Sequence, residues 1–240
     1  MAVAMLDGVV DRVSMGGSGM RMAGRGEGAG RAWRRLPCWL LLAASLLWPA
    51  LACARGPAAG PVLVVGDSLS AEHNIPAGSG WVSLLERRIA GTAATPRKVV
   101  NASISGETTA GALARLPGLL AKHRPSVVVI ELGGNDALRG LSPAQLRGNL
   151  ERMLVLSGDA GAKVLLLGID VPPNYGPAYR DRLRRTYAEL AKAHGAALVP
   201  FFLEGVALQP GLMQADGLHP TAAAQARLLD NVWPVLEPLL

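Results

Sequence analysis

Cysteine is nearly missing from this chain: among 240 residues only Cys38 and Cys53 are present. Both lie near the N-terminus, so a mature chain that starts after them can form no disulfide and no cysteine–metal site. Aromatic residues amount to 4%, which counts against a glycan groove lined with polar and aromatic groups. The four histidines show no H-E-x-x-H or comparable metal-ligand spacing. Neither G-x-G-x-x-G nor G-x-x-x-x-G-K-[ST] occurs, so the phosphate cradles of nucleotide and flavin modules are missing. No metal and no cofactor is expected. The single long apolar run, Trp39 to Ala52, is shorter than the roughly 20 residues that span a bilayer.

What is present divides near residue 54. The basic cluster Arg31-Ala32-Trp33-Arg34-Arg35 precedes that apolar run, which ends in Ala52-Cys53-Ala54. Basic, apolar and then small residues around an A-x-A site is the pattern of a secretory signal peptide. Residues 1–54 are therefore expected to be a leader and 55–240 a single domain, exported to the periplasm or secreted. Five of the seven methionines fall within the first 22 residues, and a start at Met20 or Met22 would leave a leader of ordinary length. An uncleaved anchor is one alternative. A lipoprotein acylated at Cys53 is another, although Ala50 stands where such sites usually carry Leu.

The formal charge of +6 divides as well. Six arginines and three acids belong to residues 1–54, which leaves 18 basic and 15 acidic residues beyond them. Such a balance gives little reason to expect a polyanionic partner. After cleavage the chain is expected to be a monomer that neither binds nucleic acid nor stays inserted in a membrane, and to act on a small-molecule substrate.

From Pro61 onward, short β-branched runs alternate with helical patterns. Val62 to Val65, Lys98 to Asn101, Ser126 to Leu132, Lys163 to Ile169 and Ala196 to Val199 read as strands. Helices are expected over Trp81 to Ala90, over Ala110 to His123 with a kink at Pro117, and after Ser142, which stands at an N-cap before Pro143. Another carries Leu183, Tyr187, Leu190 and Ala191 inward and stops at Gly195, and the last begins near Pro220. Nearly continuous apolar strands, each followed by a helix, argue for an α/β fold with a parallel sheet covered on both faces.

Ligands in such folds bind outside the C-terminal ends of the strands. Gly66-Asp67-Ser68, Ser105-Gly106 and Gly133-Gly134-Asn135-Asp136 follow the first three strands, so all three polar clusters share one sheet edge. A serine hydroxyl is a weak nucleophile without a base. His219, in Asp216-Gly217-Leu218-His219-Pro220, can be that base, because a carboxylate three residues earlier can fix its tautomer. The other histidines, His73, His123 and His194, have no comparable acidic neighbour in their own segments and read as structural or solvated. Acyl transfer also needs donors to the developing oxyanion; Asn135 offers its side-chain amide, and Gly106 and Ser68 offer backbone N–H groups. Taken singly, each cluster is equally an ordinary turn or helix cap; the combination, in this order, is specific.

These four blocks resemble those of the SGNH (GDSL) hydrolases. The likeness continues through Val99 to Gly106, Leu113 to Pro117, Glu131 to Gly140, Pro173 to Gly176 and Pro200 to Phe202. Those stretches are similar to the periplasmic multifunctional acyl-CoA thioesterase, lysophospholipase and arylesterase subfamily. The resemblance implies a three-layer α/β/α, flavodoxin-like fold with five parallel strands. It further implies Ser68 as nucleophile, Asp216 and His219 as its partners, and Ser68, Gly106 and Asn135 as the oxyanion hole. Asp136, Leu138, Val171 and Pro172 are expected beside the acyl group, with Leu212 nearby. A small acyl ester or thioester would be hydrolysed through an acyl-enzyme. One departure is visible: Ala71-Glu72-His73-Asn74 follows Ser70, where the subfamily more often has a Gly-aromatic pair. A carbohydrate O-deacetylase or acetyltransferase on the same fold, and a cofactor-binding module, are the competing readings.

Overall fold

The computed structural model describes residues 60–92 and 97–240; the leader expected over residues 1–54 lies outside them. Five strands, β1 (Val62–Gly66), β2 (Val99–Asn101), β3 (Val127–Glu131), β4 (Lys163–Leu167) and β5 (Ala197–Val199), form one sheet. All pairs are parallel, in the order β2-β1-β3-β4-β5. Six helices accompany them: α1 (Trp81–Thr92), α2 (Thr109–His123), α3 (Gly134–Leu138), α4 (Pro143–Asp159), α5 (Pro177–His194) and α6 (Gln225–Leu236).

Helices α1 and α6 pack together, while α2, α4 and α5 form the other row. This is the three-layer, flavodoxin-like arrangement that the family resemblance implied, with the parallel sheet covered on both faces that the strand pattern called for. Every residue of β1 and β3 is buried, as a sheet covered on both faces requires. Trp81, at the start of α1, meets Phe202 edge to face at 5.4 Å in the core beneath α6.

Local chemistry sets the helix ends. Thr108 caps α2, its hydroxyl accepting the Gly111 N–H at 3.2 Å, and Pro117 stands inside α2 without ending it. Gly195 ends α5 in the left-handed region, φ 63°, a conformation that costs glycine nothing. Two expectations change. Ser142 does occupy the N-cap of α4, but its hydroxyl makes no capping bond. Nor does the last helix begin near Pro220. Met213 bridges Pro220 and the Thr221 N–H is held by the Leu212 carbonyl, so the chain stays extended there. One 3-10 turn, Ala222–Ala224, then leads into α6.

The strand order also positions the site. The chain leaves β1 toward β2 on one side and returns to β3 on the other. The crevice between the C-terminal ends of β1 and β3 is therefore the switch point where such sheets take ligands.

Candidate active site

Ser68 sits in the turn that leaves β1. The Leu69 N–H donates to Asp67 Oδ1 at 3.0 Å and the Ser70 N–H to the Asp67 carbonyl at 3.2 Å. These bonds close the turn tightly and leave Ser68 half-buried at the floor of a cleft.

The histidine comes from the loop before α6. That loop is a narrow hairpin: besides the Met213–Pro220 bridge, the Gln214 N–H donates to the His219 carbonyl at 2.7 Å. At its tip Gly217 takes a positive φ of 66°, and Asp216 turns back on its own segment. Asp216 Oδ1 accepts the Leu218 and His219 N–H groups at 2.9 and 3.0 Å, and Oδ2 lies 2.7 Å from His219 Nδ1. Burial works against the charged form of Asp216. The His219 backbone donor, the imidazole and the Leu218 donor outweigh it and bring the carboxyl down to about 2. A carboxylate at Nδ1 requires the imidazole proton there, which leaves Nε2 as an acceptor. His219 Nε2 is 3.0 Å from Ser68 Oγ, so the serine hydroxyl donates to it.

Asn135 enters from β3. Gly133 has φ 120°, and a Cβ there would collide with the Tyr187 hydroxyl, which donates to the Leu132 carbonyl at 2.7 Å. That kink starts the short helix α3 and aims Asn135 back toward β1, where its Nδ2 donates to Asp67 Oδ2 at 3.0 Å. Gly106 lies in the turn after β2 with φ 77°. The Glu107 N–H closes that turn onto the Ile104 carbonyl, and Arg139 donates to the Gly106 carbonyl at 2.8 Å.

The cleft holds about 230 Å³. Of the residues expected beside the acyl group, Leu138, Val171 and Pro172 line it, together with Ile169, Leu203 and Leu218, which were not singled out from the sequence. Asp170 secures the Val171–Pro172 loop, since Arg180 grips its carboxylate with two bonds of 3.0 and 2.6 Å. A second cavity of about 280 Å³ adjoins the first and shares Val171, Pro172, Leu203 and Leu218 with it.

Two expectations fail on position. Asp136 does not face the cleft: it is buried and accepts the Thr109 N–H at 2.9 Å and the Thr109 hydroxyl at 2.5 Å, pinning α2 to α3. Leu212 is packed against the core rather than in the cleft wall. His73, read as structural or solvated, lies beside the candidate base. Its ring centroid lies 4.4 Å from that of His219, and its carbonyl accepts the Gln214 side chain at 3.0 Å. The acid next to it in sequence, Glu72, turns away to accept the Gly78 and Gly80 N–H groups and the Ser83 hydroxyl, and only the departure at Ala71 to Asn74 hinted at a change there.

A hydroxyl, an imidazole and a carboxylate in series, at the C-terminal edge of a parallel sheet, make up the Ser–His–Asp arrangement of acyl-transfer enzymes. The model of the GDSL-like lipase/acylhydrolase family matches residues 64–227. Esterase TesA of Pseudomonas aeruginosa is 59% identical over 183 residues, covering 76% of this chain and 90% of that one. Thioesterase 1/protease 1/lysophospholipase L1 of Escherichia coli K12 is 43% identical over 186 residues, covering 78% and 88%. A crystal structure of TesA superposes with a TM-score of 0.73 at 58% identity, over 75% of this chain and 99% of the other. The chain belongs to the GDSL-like lipase/acylhydrolase family, and it is a carboxylic ester hydrolase.

Proposed function

We propose that this protein is an exported serine esterase and thioesterase that cleaves acyl esters, acyl thioesters or lysophospholipids. In this reading His219 Nε2 takes the proton of Ser68 as Oγ attacks the carbonyl, and Asp216 steadies the imidazolium that forms. Asn135, with the N–H groups of Gly106 and Ser68, receives the oxyanion. The leaving group departs with a proton from His219, and water activated by the same imidazole releases the acid from Ser68. The observation that carries the reading is the unbroken series Ser68 Oγ, His219 Nε2, His219 Nδ1 and Asp216 Oδ2, at 3.0 and 2.7 Å.

The apolar wall of Leu138, Val171, Pro172 and Leu203 suits a hydrocarbon chain, and the adjoining cavity offers room beyond the first. Export rests on the basic-apolar-small pattern of residues 1–54. Among the described residues no helix is long and apolar enough to cross a membrane.

Hydrolysis of p-nitrophenyl esters from acetyl to palmitoyl, by residues 55–240 and by their Ser68→Ala variant, tests this. Turnover that vanishes with Ser68 and peaks at medium or long chains is expected. Turnover confined to acetyl would turn the substrate assignment to a deacetylase, and turnover that survives in Ser68→Ala would refute the mechanism.

A further inference from the structure

Two carboxyls that the proposed mechanism leaves idle lie directly behind the nucleophile. Glu131 ends β3 in register with Gly66 of β1 and has no exposed surface; Asp67 is 2% exposed. Glu131 Oε2 accepts the Ser70 hydroxyl at 2.8 Å and the Asp67 N–H at 3.3 Å. The Trp81 indole N–H donates to that same hydroxyl at 3.1 Å, which commits the single Ser70 proton to Glu131. Gly66 makes the room: a Cβ there would come within 2.9 Å of both Glu131 Oε2 and Ser70.

Glu131 Oε1 is buried and accepts no N–H or O–H donor. An ionised carboxylate in that position would be unsolvated on one side and beside a second acid, a costly arrangement. Burial, and then the charge of Asp67, push Glu131 well above the usual carboxylate range. Asp67 is the opposite case. Its oxygens accept the Leu69 N–H at 3.0 Å and the Asn135 amide at 3.0 Å. Burial raises Asp67 to about 6 while these donors pull the other way, so at neutral pH one proton and one negative charge are divided between the two.

We propose that Asp67 and Glu131 are a hydrogen-bonded acid pair that positions the oxyanion donor: Glu131 gives its proton to Asp67, and Asp67 fixes the Asn135 amide. The inference rests on the reading of Asn135 as that donor. One amide hydrogen of Asn135 is committed to Asp67, so the plane of the amide is set and the other hydrogen remains for the cleft that Asn135 lines. A flipped amide would press its carbonyl against the Asp67 carboxylate. Keeping the proton on Glu131 holds the anionic charge to one, so repulsion of the oxyanion is half what two carboxylates would exert. Asp67 and Glu131 are thus positioning residues, and Asn135 is the group that touches substrate.

A double-mutant cycle with p-nitrophenyl butyrate tests the pair, with melting curves on every variant. Asp67→Asn sets an amide N–H against the Asn135 amide and is expected to lower kcat roughly 10- to 100-fold, short of losing a donor outright. KM should stay within about twofold. In an Asn135→Ala background the same change should cost less than about threefold, because its target is gone. Glu131→Gln, which still donates to Asp67, should retain more kcat than Asp67→Asn. Infrared spectroscopy at neutral pH should find a protonated-acid carbonyl stretch in the parent protein that Glu131→Gln lacks; this readout needs no Asp67 variant to fold. Equal losses in both backgrounds, or no such stretch, would overturn the proposal. A Ser68→Ala control separates the two readings: its survival sinks the catalytic assignment, whereas a silent Asp67→Asn beside a dead Ser68→Ala sinks only the acid pair.

Discussion

Gly133→Ala is the substitution on which the local geometry of α3 can be tried most severely. Two costs are set by the structure. At φ 120° an alanine is held outside the regions open to L-residues, a strain of order 1–3 kcal/mol. Its Cβ would also displace the Tyr187 hydroxyl and leave the Leu132 carbonyl buried and unpaired, for about 1–3 kcal/mol more. The sum is roughly 2–6 kcal/mol, a large part of the stability of an ordinary domain. Urea unfolding measures it as a fall in midpoint at constant slope. Tyr187→Phe removes the hydroxyl, so in that background Gly133→Ala should cost only the backbone strain, about 1–3 kcal/mol. Because Asn135 lies two residues on, kcat of the folded fraction should fall at least about tenfold. A cost under about 1 kcal/mol, or the same cost with and without the Tyr187 hydroxyl, would refute the collision argument.

Two further outcomes are expected. Asp216→Asn can keep its carbonyl on the Leu218 and His219 N–H groups but turns an amide N–H toward Nδ1, which moves the imidazole proton to Nε2; kcat should drop by about 10³- to 10⁴-fold with little change in melting temperature, and a loss below about tenfold would count against the tautomer argument. The pH dependence of stability follows from the carboxyls. Asp67, raised from 3.8 to about 6, holds its proton longer in the folded state, so stability is greatest below the ordinary value and declines as pH rises through about 6, with Glu131 extending the decline. Asp216, lowered to about 2, contributes above 3.8 and loses its contribution as pH falls toward 2. Melting temperatures across pH should therefore fall on the alkaline side, and Glu131→Gln should flatten that fall; an unchanged slope would contradict the assignment of the proton.

Much of this was legible in the residues. Val62 to Val65 and Ser126 to Leu132 read as buried strands because two-sided burial leaves no alternation, and the Ser68, Gly106 and Asn135 blocks converged once strands ended beside them. Asp136 was misplaced because the direction of a side chain in a one-turn helix depends on the kink at Gly133, and a Gly-Gly-Asn-Asp stretch does not disclose that kink. His73 was missed for a related reason: its partner is His219, 146 positions away, and nothing local marks such a pair. Glu131 does carry a signal of its own, as a charged residue closing an apolar strand that both helical layers cover. The wall residues Leu203 and Leu218 come from loops whose apolar residues look alike until the hairpin before α6 is built.

Ser68 and His219 are separated by 151 positions, with the proposed nucleophile behind the first strand and its proposed base ahead of the last helix. The lock between those two ends, Trp81 N–H to the Gln225 side chain at 3.0 Å, spans 144. Contacts of such separation come at a high loop-closure cost. On the proposed mechanism, a nascent or partly threaded chain, even one with β1 to β5 already paired, has a serine but no base, and is expected to be chemically silent. Recovery of esterase turnover during refolding is therefore a clock for the docking of the C-terminal hairpin and α6, and an optical probe of the sheet should run ahead of it.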